Sequence, residues 1–243
     1  MALDHYIIFH PDNQRDQPLI NATALSNRNP LENWQGRVHV DKIEFSNEDP
    51  FVFNDPWIYS YCHASQLRRS RSSKDHVDVG SWLFFVSGQE ADKGRLSFDT
   101  VFLVEHLQPW LSPSSLDPQL PAKYEYLRRQ QNDPLYLRHF CAPFDYINPN
   151  TGNPAHGSVS FTYEANMWEL GKNEYSFLPL TSNHQKVVVL FSELEEVLRN
   201  KIIGKTKGKI PADLSTTEQS QILSLVSQRA KIQVVKSITL LRR

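Results

Sequence analysis

One constellation in this chain could hold zinc: Cys62 and His63, which are adjacent, with His139 and Cys141, two positions apart. Two thiolates and two imidazoles would complete a tetrahedral site if the fold brought the two pairs together. The spacing within each pair is tighter than usual for zinc ligands, and core cysteines and hydrogen-bonded histidines give the same residues without a metal. Glu105 and His106 set an acid beside a base, but neighbours on a strand face opposite ways and cannot share one proton. Other routes to catalysis are missing. No Asp or Glu is followed two residues later by Lys, so half of the commonest restriction-nuclease signature is absent. There is no H-E-x-x-H, G-x-S-x-G, C-x-x-C or G-x-G-x-x-G. Gly204-Lys205-Thr206 imitates the end of a phosphate loop, but Arg199 stands where its first glycine must curl the N–H groups around a phosphate. No catalytic residue is assigned, and no cofactor is expected.

Binding chemistry is better represented. Trp57, Tyr59 and Tyr61 recur at period 2 on one strand face, and Trp82 and Phe84 do the same on another run. Nucleobases are flat, and proteins hold them by aromatic stacking with a few polar groups at the edge. Ser65, Ser87 and Asp99 are the candidate edge groups, and Arg68, Arg69, Arg71 and Lys74 could hold phosphates. The same rings also suit an ordinary hydrophobic core.

The charge is unevenly placed. The chain carries 26 Lys and Arg against 27 Asp and Glu, a net of −1. Residues 197–243 hold ten basic residues against only Asp213 and Glu218, a local +8, which leaves −9 for the first 196 residues. Arg199, Lys201, Lys205, Lys207 and Lys209 form its densest stretch. An acidic body with a basic C-terminal segment points toward a polyanion, nucleic acid above all; a solvated helical face is the plainer reading.

These residues need elements to position them. Strand-like runs cover 5–9, 38–45, 57–61, 82–87, 96–107, 158–163 and 174–180. A helix is expected over 122–131, followed by Asp133-Pro134. Capping-box spacings at Ser192 to Glu195 and Ser215 to Glu218 open helices reaching about residues 202 and 231, and 232–241 reads as a last strand. Four prolines make 108–121 a connector. The expected fold is α+β: a strand-rich, barrel-like body over 1–180, then a basic, partly helical segment over 181–243 packed on it or extending from it. The 243 residues, 11% aromatic, exclude a disordered chain, and no apolar run approaches the ~20 residues of a membrane-spanning helix. Two cysteines make no disulfide framework and the N-terminus has no secretory pattern, so a reduced, cytoplasmic protein with no membrane partner is expected.

The region 55–103 carries a resemblance. Tyr61-Cys62-x-Ala64, the basic Arg68, Arg69 and Arg71, and Val79-Gly80-Ser81-Trp82 before an apolar strand resemble the nucleotide-modification-associated domains, relatives of the PUA, ASCH and EVE β-barrels. Ser81 stands where that family has Asp. The resemblance covers about a fifth of the chain and implies a PUA-like barrel that reads a base, plain or modified, beside DNA modification, restriction or defence systems. The leading expectation is therefore a binding module for nucleic acid, DNA before RNA, or for a nucleotide. A metal- or carboxylate-dependent nuclease or nucleotide-processing enzyme is the alternative, and a protein-interaction domain the third.

Overall fold

The computed structural model describes residues 3–10, 15–40, 50, 52, 55–59, 76–110, 160–206 and 211–240. In chain order its strands are β1 (His5–His10), β2 (Arg15–Ser26), β3 (Asn29–Val40), β4 (Ile58–Tyr59), β5 (Trp82–Ser87) and β6 (Arg95–Trp110). Next come β7 (Ser160–Ala165), β8 (Leu178–Leu180), β9 (Val187–Leu190), β10 (Ala212–Leu214), β11 (Ile232–Val234) and β12 (Thr239–Leu240). A short α1 (Gly88–Asp92) follows β5, and α2 (Glu196–Thr206) and α3 (Thr216–Arg229) lie near the C-terminal end. The strand-rich α+β class is as expected from the sequence.

β1 and β5 explain the architecture. Tyr6-Ile7-Ile8-Phe9 and Trp82-Leu83-Phe84-Phe85-Val86 are apolar at every position, so no choice of pleat hides them behind one face alone. They pair in parallel, Tyr6 opposite Leu83, at the centre of a seven-stranded sheet ordered β10-β1-β5-β6-β7-β4, with β9 also on β6. Every residue of β5 is buried. On one face Tyr6, Ile8, Leu83 and Phe85 meet Ala24, Trp34, Val38, Leu178 and Val234 of the second, five-stranded sheet. On the other, Ile7, Phe9, Trp82, Phe84 and Val86 share a core with Leu198 and Ile202 of α2 and Ile222 and Val226 of α3. Burying one such large side chain stabilises by about 1.5–3 kcal/mol. An exposed ion pair such as Lys93–Glu90 contributes about 0–1 kcal/mol. The two cores hold the fold.

The second sheet is built on a hairpin. β2 pairs with β3 from Ser26 opposite Asn29 outward, with β11 and β12 along its other edge and β8 beyond β11. Asn27 and Arg28 form the connection, both with left-handed φ, 49° and 65°. This two-residue turn matches the twist of the strands, but a non-glycine residue in that conformation costs about 1 kcal/mol or more.

Several sequence expectations change. Residues 181–243 carry α2 and α3, yet they also supply β9 and β10 to the first sheet and β11 and β12 to the second, so they are woven into the body. Residues 108–110 continue β6, opposite Thr162, Phe161 and Ser160, and do not begin the connector. The expected last strand divides into β11 and β12. Ser215 does cap α3, its Oγ accepting from the Glu218 N–H at 3.3 Å while the Glu218 carboxylate accepts from the Ser215 N–H at 2.7 Å. α2 instead starts at Glu196, after a 3-10 turn at Phe191–Glu193, and Ser192 does not open it. The expected helix over 122–131 lies outside the described residues. Among the described residues the seven-stranded sheet is open, with β10 and β4 at its ends and no pairing between them.

Gly36 is fixed by packing. A Cβ there would fall 2.4 Å from the Trp34 ring and 2.9 Å from His184 Nδ1, and those two rings lie 5.5 Å apart. Gly36→Ala should therefore destabilise the protein by about 1–3 kcal/mol, as overpacking does. Gly204, with open space around its position in α2, should gain from the same change. Urea midpoints of the two variants check this; equal midpoints would mean that Trp34 moves freely.

Candidate functional site

Trp82 opens β5, and three local features set its position. Asp78 to Ser81 form a turn in which the Ser81 N–H donates to the Asp78 carbonyl at 3.2 Å. Gly80 takes φ 89° at the turn's third position, where a type II turn demands glycine. The Trp82 N–H donates to His5 Nδ1 at 3.0 Å. Its ring stacks over Phe84 at 6.5 Å, two residues along the same face.

Beyond that ring lies a cleft of about 430 Å³, lined by the β2–β3 turn, Trp82, residues 173–177, the last turns of α3 and the start of β11. Leu25, Phe177 and Leu223 give it an apolar lining beside Trp82, while Asn27, Arg28, Asn173, Glu174, Gln228, Lys231 and Gln233 make it polar elsewhere. The size is that of a small-ligand pocket. Its wall is fastened to the sheet: the Leu103 N–H donates to Ser176 Oγ at 2.8 Å, and Phe177 exchanges two 2.9 Å backbone hydrogen bonds with Val101. Leu103 is also the partner of Trp82 across β5 and β6, so one residue registers the aromatic and the wall facing it.

Tyr175 packs edge-on against Phe177 at 6.1 Å and donates its hydroxyl to Gln233 Oε1 at 2.9 Å. That bond leaves the Gln233 amide nitrogen as a donor. Burial raises the Tyr175 phenol above its ordinary range, with the charge of Arg28 pulling the other way. The phenol stays protonated and keeps hold of Gln233. A flat, uncharged ring with a polar edge suits this lining.

The chain matches no protein-family model, no curated protein and no solved structure.

Of the residues selected from the sequence, Trp82 lines this cleft and Phe84 backs it. Trp57 and Tyr59 belong to the other core, between the sheets, both fully buried. Tyr59 stacks near Tyr163 at 6.0 Å and meets Phe85 edge-on at 4.9 Å. The four rings are thus divided between two faces and make no common pocket. The expected edge groups have other work: Ser87 Oγ caps α1 by accepting from the Glu90 N–H at 3.1 Å, and the buried Asp99 carboxylate pairs with the Lys186 ammonium. Arg199 and Lys205 lie on α2. Lys201 is committed to Glu218 at 2.6 Å. Burial pushes the Glu218 carboxyl up, but Lys201 and Ser215 outweigh it and hold the group below the ordinary carboxylate range. Tyr61, Ser65, Arg68, Arg69, Arg71, Lys74, Lys207 and Lys209 lie outside the described residues. So do the zinc candidates Cys62, His63, His139 and Cys141. Among the described residues no three His, Cys, Asp or Glu side chains converge to hold a metal ion, and no helix is long and apolar enough to cross a membrane. Glu105 pairs with Lys172, whose ammonium lies 3.4 Å away. Tyr175, Gln233 and Arg28 went unselected in the sequence because nothing local links them to Trp82.

His5 couples the site to pH. Burial lowers its pKa, outweighing the opposing charge of Asp4, so it is neutral in the fold and accepts at Nδ1. The folded protein then binds fewer protons than the unfolded one, and stability falls as pH drops below about 6.5 toward the lowered folded value. His5→Asn, which offers an amide oxygen at the same place, should remove that part of the pH dependence. Denaturant titrations from pH 7.5 to 5 on both proteins measure it; parallel curves would show that His5 does not titrate with folding.

Proposed function

We propose that this protein is a binding module for nucleic acid, DNA before RNA, or for a nucleotide, and that it takes a flat base into the cleft against Trp82. The observation that carries the reading is that Trp82, the aromatic of the Val79-Gly80-Ser81-Trp82 motif, lines the cleft from the edge of its core, whereas Trp57, Tyr59 and Phe84 are fully enclosed. Stacking supplies affinity for any base, and polar groups such as the Gln233 amide supply discrimination. The PUA-like relationship, with its barrel and its place beside DNA modification or defence, belongs to the same proposal and rests on the motif residues alone. Arg199 and Lys205 have no acidic partner among the described residues, which makes them the α2 positions suited to phosphates.

A mobility-shift series over salt, using single- and double-stranded DNA and RNA, tests the reading. Trp82→Ala should lose about 1–3 kcal/mol of binding, roughly ten- to hundredfold, while Trp82→Phe keeps most of it. Melting temperatures of both variants separate lost stacking from lost folding, because Trp82 is 5% exposed and also packs on Phe84. No binding by the wild-type protein at any salt, to any of these, removes the nucleic-acid reading. Cleaved product that disappears with chelator would instead make the protein a nuclease.

The salt slope carries a second expectation. Neutralising Arg199 and Lys205 together should flatten log K against log salt by about two units. Lys201→Gln should leave the slope alone and lower stability, because its charge is spent on Glu218. Equal slopes for the double variant and the wild type would exclude α2 as a phosphate-binding face.

A further inference from the structure

Arg28 occupies a backbone conformation that glycine would fill at less cost. It is the second residue of the Asn27–Arg28 turn, at φ 65°, where two-residue hairpins favour glycine after asparagine. The conformation itself gives no advantage to arginine, and Arg28 lines the cleft. Its guanidinium has no acidic partner among the described residues. Glu174 is the only carboxylate in the lining among the described residues, and it makes no ion pair with Arg28. The other cation, Lys231, donates to the Gln228 carbonyl at 3.0 Å and so covers the negative end of α3. Among the described residues the cleft is thereby polarised, with an acid-free guanidinium on the hairpin side and a neutralised helix end at α3.

We propose that Arg28 recognises an anionic group on the cleft's occupant, so that the occupant is a base carrying phosphate: a nucleoside monophosphate unit, free or within a strand. This rests on the reading of the cleft as a base site. The guanidinium fork can hold two phosphate oxygens at once, which an ammonium cannot. Arg28 lines the same cleft as Trp82, Tyr175 and Phe177.

The test is isothermal titration of the full chain with AMP, GMP, CMP and dTMP and with the four matching nucleosides, on wild type, Arg28→Gly and Arg28→Lys. At least one monophosphate should bind the wild type about tenfold or more tighter than its nucleoside. Arg28→Gly should abolish that difference, leave the nucleoside affinity as it was, and melt at the same temperature or higher. Arg28→Lys should recover only part of the difference. Equal affinities for nucleoside and monophosphate in wild type and Arg28→Gly would overturn the role of Arg28 and leave the base site standing. A lower melting temperature in Arg28→Gly, with both affinities falling together, would show that the residue serves the turn. If neither class binds the wild type, the base site itself falls, and this inference with it.

Discussion

The burial of β5 on both faces is the constraint on which the structure depends. An apolar strand with no polar side must lie in the middle of three layers, and β1 has the same character and the same neighbours. Their parallel pairing requires a long crossover. The chain between them contains β2 and β3 of the second sheet, so the crossover itself supplies strands that cover one face. The other face goes to α2 and α3, whose buried Leu198, Ile202, Ile222 and Val226 complete the second core. Arg229 fixes this arrangement, donating to the Val188 carbonyl at 2.7 Å and pairing with Glu193 beside β9. The ion pair follows the packing and does not drive it.

The same strand makes both core and cleft. Phe84 is fully enclosed, whereas Trp82, two residues earlier on the same face, reaches the edge of the core where the second sheet and α3 leave a gap. A ring in that position is held rigidly by packing from behind and by its backbone partners, His5 and Leu103. Its counterpart wall is held through Ser176, which also bonds to Leu103. Rigidity of this kind reduces the ordering cost of binding. The polar groups then need little freedom: Tyr175 fixes Gln233, and Lys231 satisfies the end of α3.

What could be read from the sequence follows from what is local. The apolar run at Trp82, the long β6 and the Ser215 capping box each depend on neighbours within a few residues, and each is in the structure. The β2–β3 hairpin escaped notice for physical reasons. Register shifts between Gln17 and Ile20 and between Ala22 and Ala24 break the period of two, and the turn lacks the glycine that marks such connections. The aromatic grouping failed differently. Period 2 shows that Trp82 and Phe84 share a face, but it cannot say whether Trp57 and Tyr59, some 25 residues away, share it too. Of the candidate site, Trp82 alone was legible, because Arg28, Tyr175 and Gln233 meet it only through pairing of distant strands.

Charge makes the same point about totals and positions. The +8 of residues 197–243 reads as a surface waiting for a polyanion, yet three of its ten cations are already paired with acids of this chain. Lys201 pairs with Glu218, Arg229 with Glu193, and Lys236 lies 3.7 Å from Asp55. Two of those acids belong to the acidic first 196 residues, so part of the asymmetry is complementarity between segments that fold against each other. Arg229 and the Leu190 N–H hold the Glu193 carboxyl below its ordinary range, as a committed ion pair should. Arg28, one of the two cations in the cleft lining, has no acidic partner among the described residues, and it lies in the acidic part of the chain. On the proposed reading, anion recognition is therefore set by which charges the fold leaves unspent at a concave surface, and the net charge of a segment is a poor guide to where that is.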